Sequence, residues 1–188
     1  AALEGMDVIG VRDGFEWLMQ GDIDRLVGVY TIDRVHGGGD DGIRVIGLGL
    51  AGRRDEARQL LAQLAQAPPS QTFRSWTLHL AAWLDGRVED MLSALSAFTQ
   101  LKIFDDPEAI FQEGWMFCDV GEHRRGLDYL QRPVARGYVP WVTLTAWPQF
   151  DALRDDPAFE ALLADAEAGR QRAQAAFREA GGERLLAR

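Results

Sequence analysis

Cysteine is almost absent from this 188-residue chain: Cys118 stands alone. An internal disulfide and a thiolate cage for zinc are therefore excluded, and a reducing cytoplasm is the expected compartment. Lysine is equally scarce. Lys102 is the one lysine among 20 basic residues, the others being arginine, a bias that points to a GC-rich, bacterial genome. The three histidines, His36, His79 and His123, lie far apart and form no H-x3-H or H-E-x2-H pair, so no histidine metal site is expected. Long apolar runs are missing too. Val45–Ala51 is the longest, well short of the roughly 20 residues that a membrane helix needs. Positive charge is in deficit, with a formal charge of −9. Sequence-independent binding of nucleic acid needs lysine and arginine gathered on one face, and no such cluster stands out. No signal peptide opens the chain. It begins with Ala1 rather than Met, which reads as a piece of a longer polypeptide.

What the chain does contain is folded-protein composition and glycine at regular intervals. An apolar fraction of 47% beside 26% charged residues suits a chain that buries roughly 70% of its unfolded surface, and excludes a disordered tail. Gly21, Gly52, Gly86 and Gly121 follow one another at spacings of 31, 34 and 35 residues, with an amphipathic helical pattern on either side of each. A period near 34 with a helix before and after each turn is the signature of a two-helix repeat.

Helix signals run through the chain. Val11, Phe15 and Leu18 form a first stripe. Ile23, Leu26, Val27 and Tyr30 form a second. The segment from His36 to Asp41 reads as a loop whose last Asp caps the next helix. Ala57, Leu60, Leu61 and Leu64 mark a clear amphipathic helix ending at Pro68-Pro69, and Ser70 is placed to cap the following one. Met91, Leu92, Leu95, Phe98 and Leu101 line its partner. Asp106-Pro107 and Asp156-Pro157 both read as helix starts, with Asp at the cap and Pro in the first turn. Pro133 is expected to kink or end the last turn of its helix. The segment from Gly137 to Trp147 receives no assignment. Beyond Pro157 a long alanine-rich helix presents Phe159, Leu162, Leu163, Ala166, Ala173 and Phe177, and Gly181-Gly182 ends it.

The residues after each turn resemble tetratricopeptide repeats. Gly52, Ala57, Leu61 and Pro69 follow the family's A-x3-F…P spacing, with Leu for Phe. Gly114-Trp115-Met116-Phe117 follows G-x2-Y with Phe for Tyr, and Gly126 and Leu130 take the Ala and Phe positions. Met91 and Leu95 are a poorer match. No unit is complete, and the resemblance covers residues 7–137. It implies an all-α, tetratricopeptide-like superhelix, with about four repeats over residues 1–137, then an aromatic connector and a C-terminal capping helix over 138–188. The tail, around Leu153-Arg154-Asp155-Asp156-Pro157-Ala158-Phe159, resembles the end of bacterial multidomain signalling proteins in which a repeat array follows a cyclase, kinase or DNA-binding domain. These likenesses imply a protein–protein or interdomain interaction module of a bacterial signalling or transcriptional regulator, with no catalytic residues, metal or cofactor. Its partner would be a protein, a peptide or another domain of the same chain. A second copy of the chain is a further candidate.

The candidate partner-binding residues are Phe73, Trp76, Leu80, Trp83, Phe111 and Trp115. In the register set by the turn glycines they fall on the first helices of their repeats, facing the groove where such arrays hold peptides, and exposed aromatics there carry binding energy. A shift of one residue puts Trp76 and Trp83 in the core instead, and stripes at helical spacing favour packing. Two other readings stand beside this one. The first is a helical sensor that holds a small apolar ligand among its tryptophans. The second is a nucleotide-binding enzyme using Gly47-x-Gly49-x-x-Gly52. That fingerprint requires a strand before it and an acidic residue about twenty positions on, where this chain has Pro68-Pro69-Ser70-Gln71-Thr72-Phe73. Asp105-Asp106 and Asp155-Asp156 are read as caps rather than acid–base pairs, and His36 with Asp40 and Asp41 as a polar loop. Cys118 is expected to be buried and inert. Arg53-Arg54 reads as a solvated helix start, and Arg124-Arg125 as an exposed pair that an acidic partner could use.

Overall fold

The computed structural model describes residues 16–28, 39–66, 70–98 and 106–186, and among these there is helix but no strand. Residues 16–20 are helical, followed by α1 (Ile23–Gly28), α2 (Gly39–Leu50), α3 (Arg54–Gln66), α4 (Gln71–Leu84), α5 (Val88–Phe98), α6 (Pro107–Asp119), α7 (His123–Ala135), α8 (Trp141–Ala146), a 3-10 helix (Pro148–Leu153), α9 (Pro157–Glu179) and α10 (Glu183–Leu186). They divide into two compact units, the boundary falling between Ile103 and Phe104.

Four turns are built alike. Gly21, Gly52, Gly86 and Gly121 have φ of 78°, 78°, 68° and 85°, a left-handed conformation that costs little only for glycine. At each, the glycine N–H donates three residues back and the next N–H donates five back. In the Gly52 turn these bonds are Gly52 to Gly49 O at 3.1 Å and Arg53 to Leu48 O at 2.8 Å. In the Gly121 turn they are Gly121 to Cys118 O at 3.1 Å and Glu122 to Phe117 O at 2.9 Å. This double bond ties up the last helical carbonyls and reverses the chain in three residues. Nothing lies within 4 Å of a Cβ built on Gly52, Gly86 or Gly121, so backbone conformation rather than space requires glycine there.

The helix starts follow the capping residues. Ser70 Oγ accepts from Phe73 N at 3.1 Å, Asp106 from Glu108 N at 3.0 Å and Asp156 from Ala158 N at 2.8 Å, each contributing about 1 kcal/mol. One start differs from the sequence expectation. α2 begins at Gly39, so Asp41 is not a cap but lies inside the first turn, buried and 3.2 Å from Arg44. Pro133 lies in the last turn of α7, which ends two residues on at Ala135. A proline this near the C-terminus interrupts few hydrogen bonds, and its carbonyl accepts from Tyr138 N at 3.0 Å. The segment left unassigned holds α8.

In the first unit α2 packs on α1, α3 on α2, α4 on both α3 and α2, and α5 on α4. Its core includes Leu26, Val45, Ile46, Leu61, Leu80, Trp83, Met91 and Leu95. In the second unit α6 and α7 form the tightest hairpin, α9 packs on α7 and α8, and the 3-10 helix packs on α6. Phe159, Leu162 and Ala166 are buried there, whereas Ala173 and Phe177 are exposed. Residues 170–180 of α9 and its C-terminal turn are exposed throughout.

Candidate functional site

The four deepest of the six candidate residues face inward. Leu80, Trp83, Phe111 and Trp115 are 0% exposed, and they present no surface to a partner in this conformation. Phe73 and Trp76 are half-buried and meet edge to face at 5.4 Å. The reason lies on α2. Cβ atoms built on Gly42 and Gly49 would overlap the rings of Trp76 and Trp83 respectively, so two glycines seven residues apart form notches for two tryptophans seven residues apart. The same observation places the glycine fingerprint. Gly47 and Gly49 lie inside the C-terminal half of α2 against Leu26 and Trp83, and Gly52 is the turn residue. A phosphate-binding fingerprint needs these glycines between a strand and a helix N-terminus, where free N–H groups point at the ligand. Here they sit at the opposite end of a helix.

Trp115 is the hub of the second unit. Its ring meets Trp147 edge to face at 4.6 Å and lies 6.0 Å from Phe111 and 6.1 Å from Phe150. Its Nε1 donates to Gln149 Oε1 at 3.4 Å, and Gln149 Nε2 donates to Asp119 Oδ1 at 3.1 Å. Phe111 in turn packs on Tyr138, and Phe150 on Phe159. Most residues of the tail motif have local roles. Leu153 is buried, Asp156 caps α9 and Pro157 opens it. Arg154 Nη1 donates to Leu144 O at 2.8 Å and Nη2 to Thr145 O at 3.0 Å, which closes the C-terminus of α8 with a cation.

The titratable candidates are separate from one another. Among the described residues no group of three or more His, Cys, Asp or Glu could hold a metal ion. His36 and Asp105 lie outside those residues. His79 is buried with Nδ1 3.1 Å from Met91 O. Burial, reinforced by Asp119, pushes the Cys118 thiol up to about 12, which removes the thiolate that nucleophilic chemistry needs. Arg54 does more than solvate a helix start: its Nη1 donates to Leu84 O at 2.9 Å, and Arg58 Nη2 reaches the same carbonyl at 3.0 Å. The two arginines of α3 thus cap the C-terminus of α4.

On the other side of α4 from the tryptophans an apolar groove of about 220 Å³ opens to solvent. Leu61, Ala62 and Ala65 of α3 and Thr77, Leu78 and Ala81 of α4 line it, with Arg58 and Asp85 at one end. Leu78 is 60% exposed. The end charges satisfy each other, Arg58 Nε donating to Asp85 Oδ1 at 3.1 Å. Small side chains on facing helices leave the depth, and sequence reasoning passed over them because alanines carry no apolar-stripe signal of their own. No family model, curated protein or solved structure matches the chain.

Proposed function

We propose that this chain is an interaction module of the tetratricopeptide-like class that binds a partner polypeptide through the groove between α3 and α4 and performs no chemistry itself. The exposure of Leu78 above a floor of alanines carries this reading, since an open apolar concavity lowers free energy when another apolar side chain fills it. About 220 Å³ suits one or two large apolar side chains. The end charges are already paired, so the groove selects apolar surface and not an ion. The four alike glycine turns at near-constant spacing support the class. The likeness of the tail to regulatory proteins, and the arginine-rich composition, support a place in a larger bacterial signalling or transcriptional regulator.

The test is amide chemical-shift mapping with a panel of synthetic amphipathic peptides carrying Leu, Phe or Trp anchors. Saturable shifts centred on Ala62, Ala65, Leu78 and Ala81, lost in Leu78→Glu and in the groove-filling Ala65→Tyr, support the proposal. Both positions are exposed, so circular dichroism should show both variants folded. Peptide binding elsewhere, or binding unchanged in both variants, overturns it.

A further inference from the structure

Residues 123–136 hold four arginines against a single carboxylate, Asp128, in a chain whose formal charge is −9. At about 100° per residue, Arg125, Tyr129, Arg132 and Arg136 fall within one strip of α7. The buried Gly126, Leu127, Leu130 and Val134 occupy another side. All three arginines of the strip are exposed. Two of them lie on aromatic faces. The Arg125 guanidinium is 5.6 Å from the centre of the Phe117 ring and that of Arg132 is 4.7 Å from the centre of Tyr129. The two rings lie against each other at 5.4 Å, so Phe117 of α6 props the strip from beneath. Burial and the buried Glu113 carboxylate raise the Tyr129 hydroxyl pKa, while Arg132 and Arg125 oppose the rise. Tyr129 thus remains a neutral stacking surface between cations. A guanidinium resting on a ring has part of its ordering cost met in advance, and with five N–H donors it can still grip a carboxylate.

We propose that this arginine strip is a docking surface for an acidic segment of a partner protein, with carboxylates spaced at intervals of roughly 10 Å. Seven residues separate Arg125 from Arg132, and a helix rises about 1.5 Å per residue. An extended segment meets that interval with a carboxylate at about every third residue. Charge complementarity selects the partner: the strip is cationic within a chain that repels polyanions as a whole, which disfavours nucleic acid and leaves short acidic stretches able to reach it. Glu122 pairs with Arg125 at 3.7 Å, a solvent-exposed contact beyond hydrogen-bond distance that a better-placed carboxylate can replace, and Asp128 is exposed on the flank of the strip. The surface belongs to the second unit and stands independently of the α3–α4 groove.

Fluorescence anisotropy on the full chain tests it. The probes are a labelled peptide with Glu at every third position among Ser and Gly, the same peptide with Gln, and a labelled oligothymidylate. The Glu peptide should bind saturably at roughly 20 mM salt and about tenfold or more weaker at roughly 300 mM, and the Gln peptide should not bind. Arg125→Glu with Arg132→Glu should weaken binding about tenfold or more. Arg132→Lys should retain part of the affinity, since it keeps the charge but not the planar fork. Arg170→Glu with Arg172→Glu, on α9, should leave affinity unchanged, and melting curves should show every variant folded. Absence of binding, equal binding of the Gln peptide, or full affinity in the folded Arg125→Glu, Arg132→Glu variant overturns the proposal. Tighter binding of the oligonucleotide also overturns it and assigns the strip to nucleic acid.

Discussion

Gly126 of α7 rests directly on the backbone of Gly114 of α6. A Cβ at Gly126 would stand 2.9 Å from the Gly114 carbonyl oxygen, and a Cβ at Gly114 would stand 3.0 Å from that of Gly126. Two helices approach this closely only where neither carries a side chain, and along the same α6–α7 seam Phe117 and Tyr129 come together.

Gly126→Ala is therefore expected to destabilise the second unit by about 2 kcal/mol, because overpacking against backbone outweighs the better helix propensity of alanine, itself about 1 kcal/mol. The new Cβ also overlaps Cys118 Sγ. Adding Cys118→Ala should restore part of the loss, leaving the carbonyl contact in place. Urea unfolding of the single and double variants measures both. Equal stability of Gly126→Ala and the parent would refute the close approach.

Trp83→Ala and Leu78→Ala should behave as opposites although both residues belong to α4. Trp83 is 0% exposed in the Gly49 notch and Leu78 is 60% exposed. The expected losses are about 3–5 kcal/mol for Trp83→Ala and about 0.5 kcal/mol or less for Leu78→Ala. Thermal unfolding of the two variants checks the contrast, and similar losses would contradict the assigned faces of the helix.

Arg154→Ala should loosen α8 and the start of α9. It removes donors to the carbonyls of Leu144 and Thr145 and a guanidinium 5.7 Å from the Phe159 ring. A loss of about 1–3 kcal/mol is expected, with the fastest gain in amide exchange at residues 145–147. Arg154→Lys should recover little, since one ammonium cannot reach several carbonyls at once.

Glu108 makes stability depend on pH. Burial, reinforced by the Asp106 carboxylate, raises its pKa to about 7 in the folded state, above its ordinary value of 4.5. A raised carboxyl favours folding while it is protonated. Its contribution is complete below about pH 4.5 and is lost as pH rises to about 7. The side chain is only half-buried, so solvent reduces the effect. Glu108→Gln should flatten the fall in stability between pH 5 and 8, in denaturant titrations at each pH. An unchanged pH slope would show that Glu108 is ionised throughout.

Cys118 should resist alkylation in the folded protein. With its thiol pushed up to about 12 and its side chain buried, modification by iodoacetamide at pH 8 should proceed only through opening of the α6–α7 hairpin. Labelling rates should rise with urea in parallel with unfolding. Rapid labelling of the native chain would contradict the burial.

Much of the helix map was legible in the sequence because capping and turning are decided within five residues. Ser70, Asp106 and Asp156 each accept from an N–H two or three positions on. Each turn glycine closes its helix with carbonyls three and four positions before it. Where a stronger use of the side chain existed the local signal misled: Asp41 pairs with Arg44 inside the helix rather than capping it. Only tertiary structure decided what the helix faces meet. Helical spacing puts Trp76 and Trp83 on one side of α4 but cannot tell core from groove, because the answer lies in Gly42 and Gly49 of another helix. Arg54 reads as a solvated charge until α3 sets it, together with Arg58, beside the Leu84 carbonyl, 30 and 26 residues away. The alanine groove likewise exists only between α3 and α4. Hydrogen bonding along the chain acts over a few residues and is encoded there, whereas burial depends on which surfaces distant segments bring against one another.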